Sequence, residues 1–148
     1  MRVELYVADY IEPLASGKLA VMGLFPDRRL ILNVDHDAPE PSDSIPYAVN
    51  LALCISMTGL EAGEHEVGIC IEDPSGRRSP EVESTRRKFS VATERSSANA
   101  IVQLQPLLAS ALGTFSVVCS IAGVEHRTTF EVQHRRLAAP QDLPLAEP

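Results

Sequence analysis

The stretch AVNLALCISM, residues 48–57, places Val49, Leu51, Leu53, Ile55 and Met57 at every second position. Side chains two apart share one face of a strand, so these five line a single buried face. The alternates Asn50, Ala52, Cys54 and Ser56 are small or polar and form the opposite face. Two more runs repeat the pattern: Val67, Ile69 and Ile71, and then Phe115, Val117, Cys119 and Ile121. Strands with one apolar face each need a second layer to close the core.

Working outward, Val3, Leu5 and Val7 alternate with Arg2, Glu4 and Tyr6, and Leu19 and Val21 follow a turn at residues 15–18. That is a hairpin, with Gly17 at the position where a positive φ costs little and Pro13 ending the first strand. Leu30, Leu32 and Val34 mark a third strand. Residues 35–46 then hold three prolines and four acidic residues, a long loop. Phe89 and Val91 mark a sixth strand, residues 101–105 a seventh, and Thr128, Phe130 and Val132 a ninth. Residues 106–112 read as a short helical turn capped by Gly113. The expectation is an all-β, antiparallel β-sandwich of about 8–9 strands, immunoglobulin-like or related. The sandwich spans residues 1–133, and a Pro-rich C-terminal tail spans 134–148.

Parity permits the strands at 48–57 and 67–71 to pair as a hairpin, with Leu53 opposite Ile71, Ile55 opposite Ile69 and Cys54 against Cys70 on the outer face. Ala48, Ala52 and Gly68 would join those cysteines in a small-residue surface of low polarity, suited to packing against another subunit.

The chain has 148 residues, 45% of them hydrophobic and 22% charged, the balance of one globular domain. A formal charge of −7 works against nonspecific nucleic-acid binding. The opening MRVELYVADY meets charge at Arg2, Glu4 and Asp9, and no apolar run is long enough to span a bilayer. A cytoplasmic location is expected, without nucleic-acid or membrane partners, and it suits a bacterial or a phage protein equally. Cys54, Cys70 and Cys119 are odd in number and lack CxxC spacing, so reduced thiols are expected.

The run ELYVADYIEPLASGKLAVMG, residues 4–23, resembles the opening of an uncharacterised bacterial β-sandwich family, a domain of unknown function. Its members share an Ala-Asp-Tyr-x-Glu motif, then Gly-Lys-Leu and a second strand. GTFSVVCSIAGVEHRTTFEV, residues 113–132, resembles that family's closing hairpin. The resemblance covers both ends of the chain but not its acidic loop or its tail. It implies the sandwich and no activity.

Motifs for chemistry are weak. Asp35, His36, Asp37, Glu40 and Asp43 share one loop, but its prolines and the absence of a fixed glycine and closing glutamate break an EF-hand pattern. His65-Glu66 lacks the second histidine of a zinc-protease helix. There is no Gly-x-Ser-x-Gly elbow and no phosphate-binding glycine loop. No catalytic, cofactor-binding or metal-ligating residue is assigned, and the chain is not expected to be an enzyme. The one basic cluster is Arg77, Arg78, Arg86, Arg87 and Lys88, around residues 80–85. It reads as a charged sheet edge or as a patch for an acidic surface, the 35–43 loop of a second copy among them. With Leu137, Leu143 and Leu145 of the tail, it makes the candidate partner-binding set. The functional expectation is a non-catalytic interaction or structural module that assembles with itself or with a larger complex. The alternatives are a small-molecule or carbohydrate binder using the 35–46 loop, and a hydrolase with a noncontiguous site built around His36 or His126.

Overall fold

The alternating runs become strands of two facing sheets in the computed structural model, which describes residues 1–25, 27–78, 86–92 and 96–139. The strands are β1 (Arg2–Pro13), β2 (Leu19–Leu24), β3 (Arg29–Val34), β4 (Tyr47–Leu60), β5 (Gly63–Glu72), β6 (Arg86–Val91), β7 (Ser96–Ala109), β8 (Gly113–Ile121) and β9 (Val124–Arg136). One sheet has the order β2-β1-β4-β7 and the other β3-β9-β8-β5-β6. The fold is an all-β sandwich. Among the described residues no helix is long and apolar enough to cross a membrane.

Alternation predicts the core well. Leu51, Leu53, Ile55 and Met57 of β4, Ile69 and Ile71 of β5, and Val117, Cys119 and Ile121 of β8 are all buried in one cluster. Phe115 and Phe130, directly opposite on β8 and β9, stack with ring centroids 5.4 Å apart. Neighbour identity is a different matter. β4 pairs with β1 and β7, and β5 with β6 and β8, so the expected β4–β5 hairpin does not form. Gly59 (φ 72) and Gly63 (φ 137) bracket the corner at which the chain passes from one sheet to the other. Parity determines which side chains face the core but leaves the neighbouring strand open.

Three further expectations change. β7 runs to Ala109, so the helical turn expected at 106–112 is strand followed by a bend. Pro106 obscures this in the sequence, but it sits at a bulge. Val49 pairs with Leu107 and Leu51 with Leu104, so two β7 residues oppose Asn50 alone. Pro106 is tolerated there, on a strand at the margin of its sheet. Next, β3 pairs with β9 in parallel, Leu30 beside Val132 and Val34 beside Arg136, the one parallel pair among antiparallel ones. Finally, β9 continues through His134, Arg135 and Arg136, and the Leu137 amide donates to the Val34 carbonyl, so the sheet extends past residue 133.

Candidate functional site

The outer face of the four-stranded sheet departs most from what a sandwich exposes. Ala8, Ala52 and Cys54 point away from the main core yet are buried in a second, smaller cluster with Ile11. The cover is intramolecular. Gln103 of β7 donates from Nε2 to the Ile11 carbonyl at 2.6 Å, which carries the far end of β1 across β4 and onto β7. Leu19 and Ile101 complete the lid. The small side chains of Ala8 and Ala52 are what let a strand lie that close.

The bend that permits this lies where Asp9 of β1 stands opposite Gly23 of β2. Gly23 has φ 64, and a Cβ there would stand 2.0 Å from the Asp9 carboxylate, so both conformation and space require glycine. Of the small-residue surface expected to receive a second subunit, Ala52 and Cys54 are thus covered by the chain's own hairpin, while Ala48 stays exposed. Gly68 and Cys70 belong to the other sheet altogether. An apolar cleft of about 250 Å³ remains beside the hairpin, lined by Tyr6, Leu19, Val21, Leu24 and Cys54. Tyr6, Leu14, Val21, Met22 and Leu24 leave much of their apolar surface in water.

At one end of the sandwich Arg77 draws three segments together. Its guanidinium donates to Asp43 at 2.7 and 3.1 Å, to Asp73 at 3.2 Å and to Ser110 at 2.8 Å. Asp73 in turn accepts the Ser75 and Arg77 amides at 2.8 and 3.0 Å, which forms the turn after β5. The Arg77 guanidinium holds the Asp43 carboxyl below its usual range, with Ser110 assisting, and Arg77 itself is raised, first by Asp43. Burial works to raise Asp73, but the donors from Ser75 and Arg77 outweigh it and leave the group lowered. The other flank of the 35–46 loop is held by Arg136, which donates to the His36 and Ala38 carbonyls at 3.0 and 2.6 Å and to Glu40 at 2.8 Å. The Tyr47 hydroxyl donates to the Pro39 carbonyl at 2.7 Å. The acidic loop, expected to be merely solvated, is fastened at both ends. A cleft of about 350 Å³ lies at its foot, with Ile71, Leu107 and Phe115 as floor and Asp43, Asp73 and Arg77 as rim.

The basic cluster is dispersed. Arg77 is committed to the acidic loop of its own chain, Arg78 pairs with Glu72 at 3.5 Å, and Arg86 pairs with Glu66 at 3.2 Å. Arg87 and Lys88 stand exposed on β6, the margin of the five-stranded sheet among the described residues. Leu137 is exposed beside the end of β3, while Leu143 and Leu145 lie outside the described residues. Cys54 and Cys70 are on the outer faces of opposite sheets, with the sandwich between them, so they cannot pair. Burial raises the Cys54 thiol and pushes Cys119 up to about 11.

No group of three or more His, Cys, Asp or Glu among the described residues is arranged to hold a metal ion. His36 pairs only with Asp37, at 4.0 Å, and His65 contacts the Glu61 carbonyl at 2.9 Å. His134 lies 3.6 Å from Glu40. His126 and Thr128 line a third cleft, of about 600 Å³, between β1 and β9. Within it the His126 Nε2 and Thr128 Oγ1 atoms are buried without a hydrogen-bond partner. His126, named from the sequence only as a possible centre of a noncontiguous site, is partly buried here. Its even-numbered place beside Thr128, Phe130 and Val132 was the signal that it turns inward.

No family model matches the chain, and no curated protein matches it. Among solved structures, a β-glucosidase from Listeria innocua in complex with isofagomine aligns with a TM-score of 0.45 and 11% identity. The same enzyme in complex with glucose aligns with a TM-score of 0.44 and 11% identity. Each alignment covers 92% of this chain but only 17% and 16% of the respective enzyme chain. At that similarity the chain shares no more with them than a general β architecture.

Proposed function

We propose that the protein is a non-catalytic interaction module, a sandwich that assembles with a protein partner or with itself. The observation that supports this best is the β1–β2 hairpin, where Tyr6, Val21 and Leu24 rim an apolar cleft on a face that a solitary sandwich would make polar. We also infer an immunoglobulin-like sandwich. A segment that pairs in one sheet as β2 and then crosses to the other as β3, parallel to the last strand, supports that class. Replacing Val21 and Leu24 together by Lys tests the module reading by light scattering. Assembly should weaken while the melting temperature holds. An assembly state unchanged by both substitutions contradicts the role given to the hairpin.

The cleft beneath the 35–46 loop favours a second reading, a small-molecule binding sandwich, because an apolar floor with a charged rim suits a compact polar ligand. A thermal-shift screen with sugars, carboxylates and calcium tests it, and a flat response to all of them removes it.

A further inference from the structure

The two sheets of the sandwich do not close along their whole length on the β1–β9 side. β2 pairs with β1 only from Ala8 onward, and β3 pairs with β9 only from Glu131 onward. The chain crosses between sheets at residues 25–28, where the Phe25 amide donates to the Val7 carbonyl and the Glu131 amide donates to the Arg28 carbonyl. Arg28 takes φ 52 at this crossing, an unusual value for a residue with a side chain. Among the described residues, nothing pairs with the outer edge of β9 from Val124 to Phe130. The β8–β9 register is unbroken from Gly113–Val132 to Ile121–Val124. The amide of Glu131 points toward β3, so the backbone groups of Thr129, Arg127 and Glu125 point to that same side and meet no strand. The even residues point inward, and the first two that could carry polar atoms, His126 and Thr128, hold buried side-chain atoms without a partner among the described residues. Thr128 is only 8% exposed.

We propose that this notch receives the same segment of a second copy of the chain, joining two five-stranded sheets edge to edge across a twofold axis at His126. The contact lies apart from the β1–β2 hairpin, so it adds a second surface to the interaction-module reading and commits that surface to a second copy. The sequence around the notch is self-complementary in that register. Antiparallel pairing about His126 sets Glu125 against Arg127 of the second copy and Arg127 against its Glu125, two reciprocal pairs of opposite charge in which each Arg127, already held by Glu72 of its own chain, is shared between two carboxylates. A twofold centred on Arg127 or on Glu125 would oppose like charges instead. Length fits as well. The free segment ends at the β8–β9 turn, Ala122-Gly123, on one side and at the start of β3 on the other, so each copy's β3 begins just beyond the other's turn. At the axis the two imidazoles face each other in a non-hydrogen-bonded pair, where the N–H of one can donate to the bare nitrogen of the other. An isologous contact of this kind closes on itself and leaves no unpaired β9 segment for a third copy.

The test uses the full chain, with mass measured by light scattering over a concentration series and folding checked by thermal melting. Wild type should be a dimer. Glu125→Arg opposes Arg127 of the second copy and should raise the dissociation constant at least about tenfold. The double variant Glu125→Arg with Arg127→Glu restores opposite charges in the same register and should recover dimerisation. Glu125→Pro removes an edge amide that β8 does not use and should also give monomer. A dimer that survives both Glu125 substitutions but is lost in the Val21→Lys, Leu24→Lys variant overturns the edge contact and leaves the module reading standing. A double variant as monomeric as Glu125→Arg, while melting at the same temperature as the wild type despite the lost Arg127–Glu72 pair, overturns the charge register. A chain that is monomeric throughout overturns the dimer outright.

Discussion

At the scale of single residues, burial decides which positions tolerate change. Leu53 and Val117 belong to the same core cluster from different sheets, and both are essentially inaccessible to solvent. An aspartate at either site would bury a charge without a partner. Such changes fall in the tail of single-residue effects above about 4 kcal/mol, enough to unfold a domain of ordinary stability. Leu53→Asp and Val117→Asp should therefore lack a cooperative thermal transition in calorimetry. The cysteines are graded by the same property. Cys54 and Cys119 are buried with raised thiol pKa values, whereas Cys70 is half-buried. An exposed-thiol reagent at neutral pH should titrate Cys70 first in the native protein, with the other two reacting only on denaturation. Mass mapping of the labelled positions checks this.

At the scale of elements, the β1–β2 hairpin is the feature that sequence periodicity conveys least well. Alternation through Val3, Leu5 and Val7 assigns odd positions to the core, yet Ile11 packs on the opposite face beside Ala8. The period breaks at the Asp9–Gly23 pair, and a glycine in a strand pattern signals a bend without saying where the bent strand goes. Ala52 sits under the folded-over strand, so Ala52→Leu should overpack the small cluster by about 1–3 kcal/mol. Urea denaturation measures that cost, and faster proteolysis at the residue 14–18 turn would show that the hairpin has lifted. β7 teaches a similar lesson. Pro106 reads as a strand end because proline cannot donate to a ladder, but a bulge opposite Asn50 gives it a place where no donor is needed.

At the scale of the whole molecule, the sheet faces were legible in the sequence because alternation is local, while sheet membership was not, because pairing is set between distant segments. Leu51, Leu53, Ile55, Ile69, Ile71, Val117, Cys119 and Ile121 all face the core as read. The β4–β5 hairpin and the Cys54–Cys70 neighbourhood failed together, since both rested on one choice of partner strand. The basic cluster was likewise legible as a set of charges but not as a surface, because Asp43, Glu66 and Glu72, which neutralise most of it, come from remote segments. These pairs give the fold a dependence on acid. The Arg77 guanidinium holds the folded Asp43 carboxyl below its ordinary range, and Arg127 chiefly holds Glu72 below its own. A carboxyl lowered on folding stabilises in full above its unfolded pKa, and that contribution is lost as pH falls through the folded value. Asp43→Asn should therefore melt below wild type at neutral pH, with the gap closing as pH falls below the ordinary aspartate range. Melting temperatures across a pH series read it directly.

Assembly is the property on which the functional account stands. Sedimentation velocity of the full chain over a wide concentration range measures it, with wild type compared with the Val21→Lys, Leu24→Lys variant. The account predicts a sedimentation coefficient that rises with concentration for wild type and a weaker rise for the variant. A single monomer boundary at every concentration, identical in the two proteins, would contradict it.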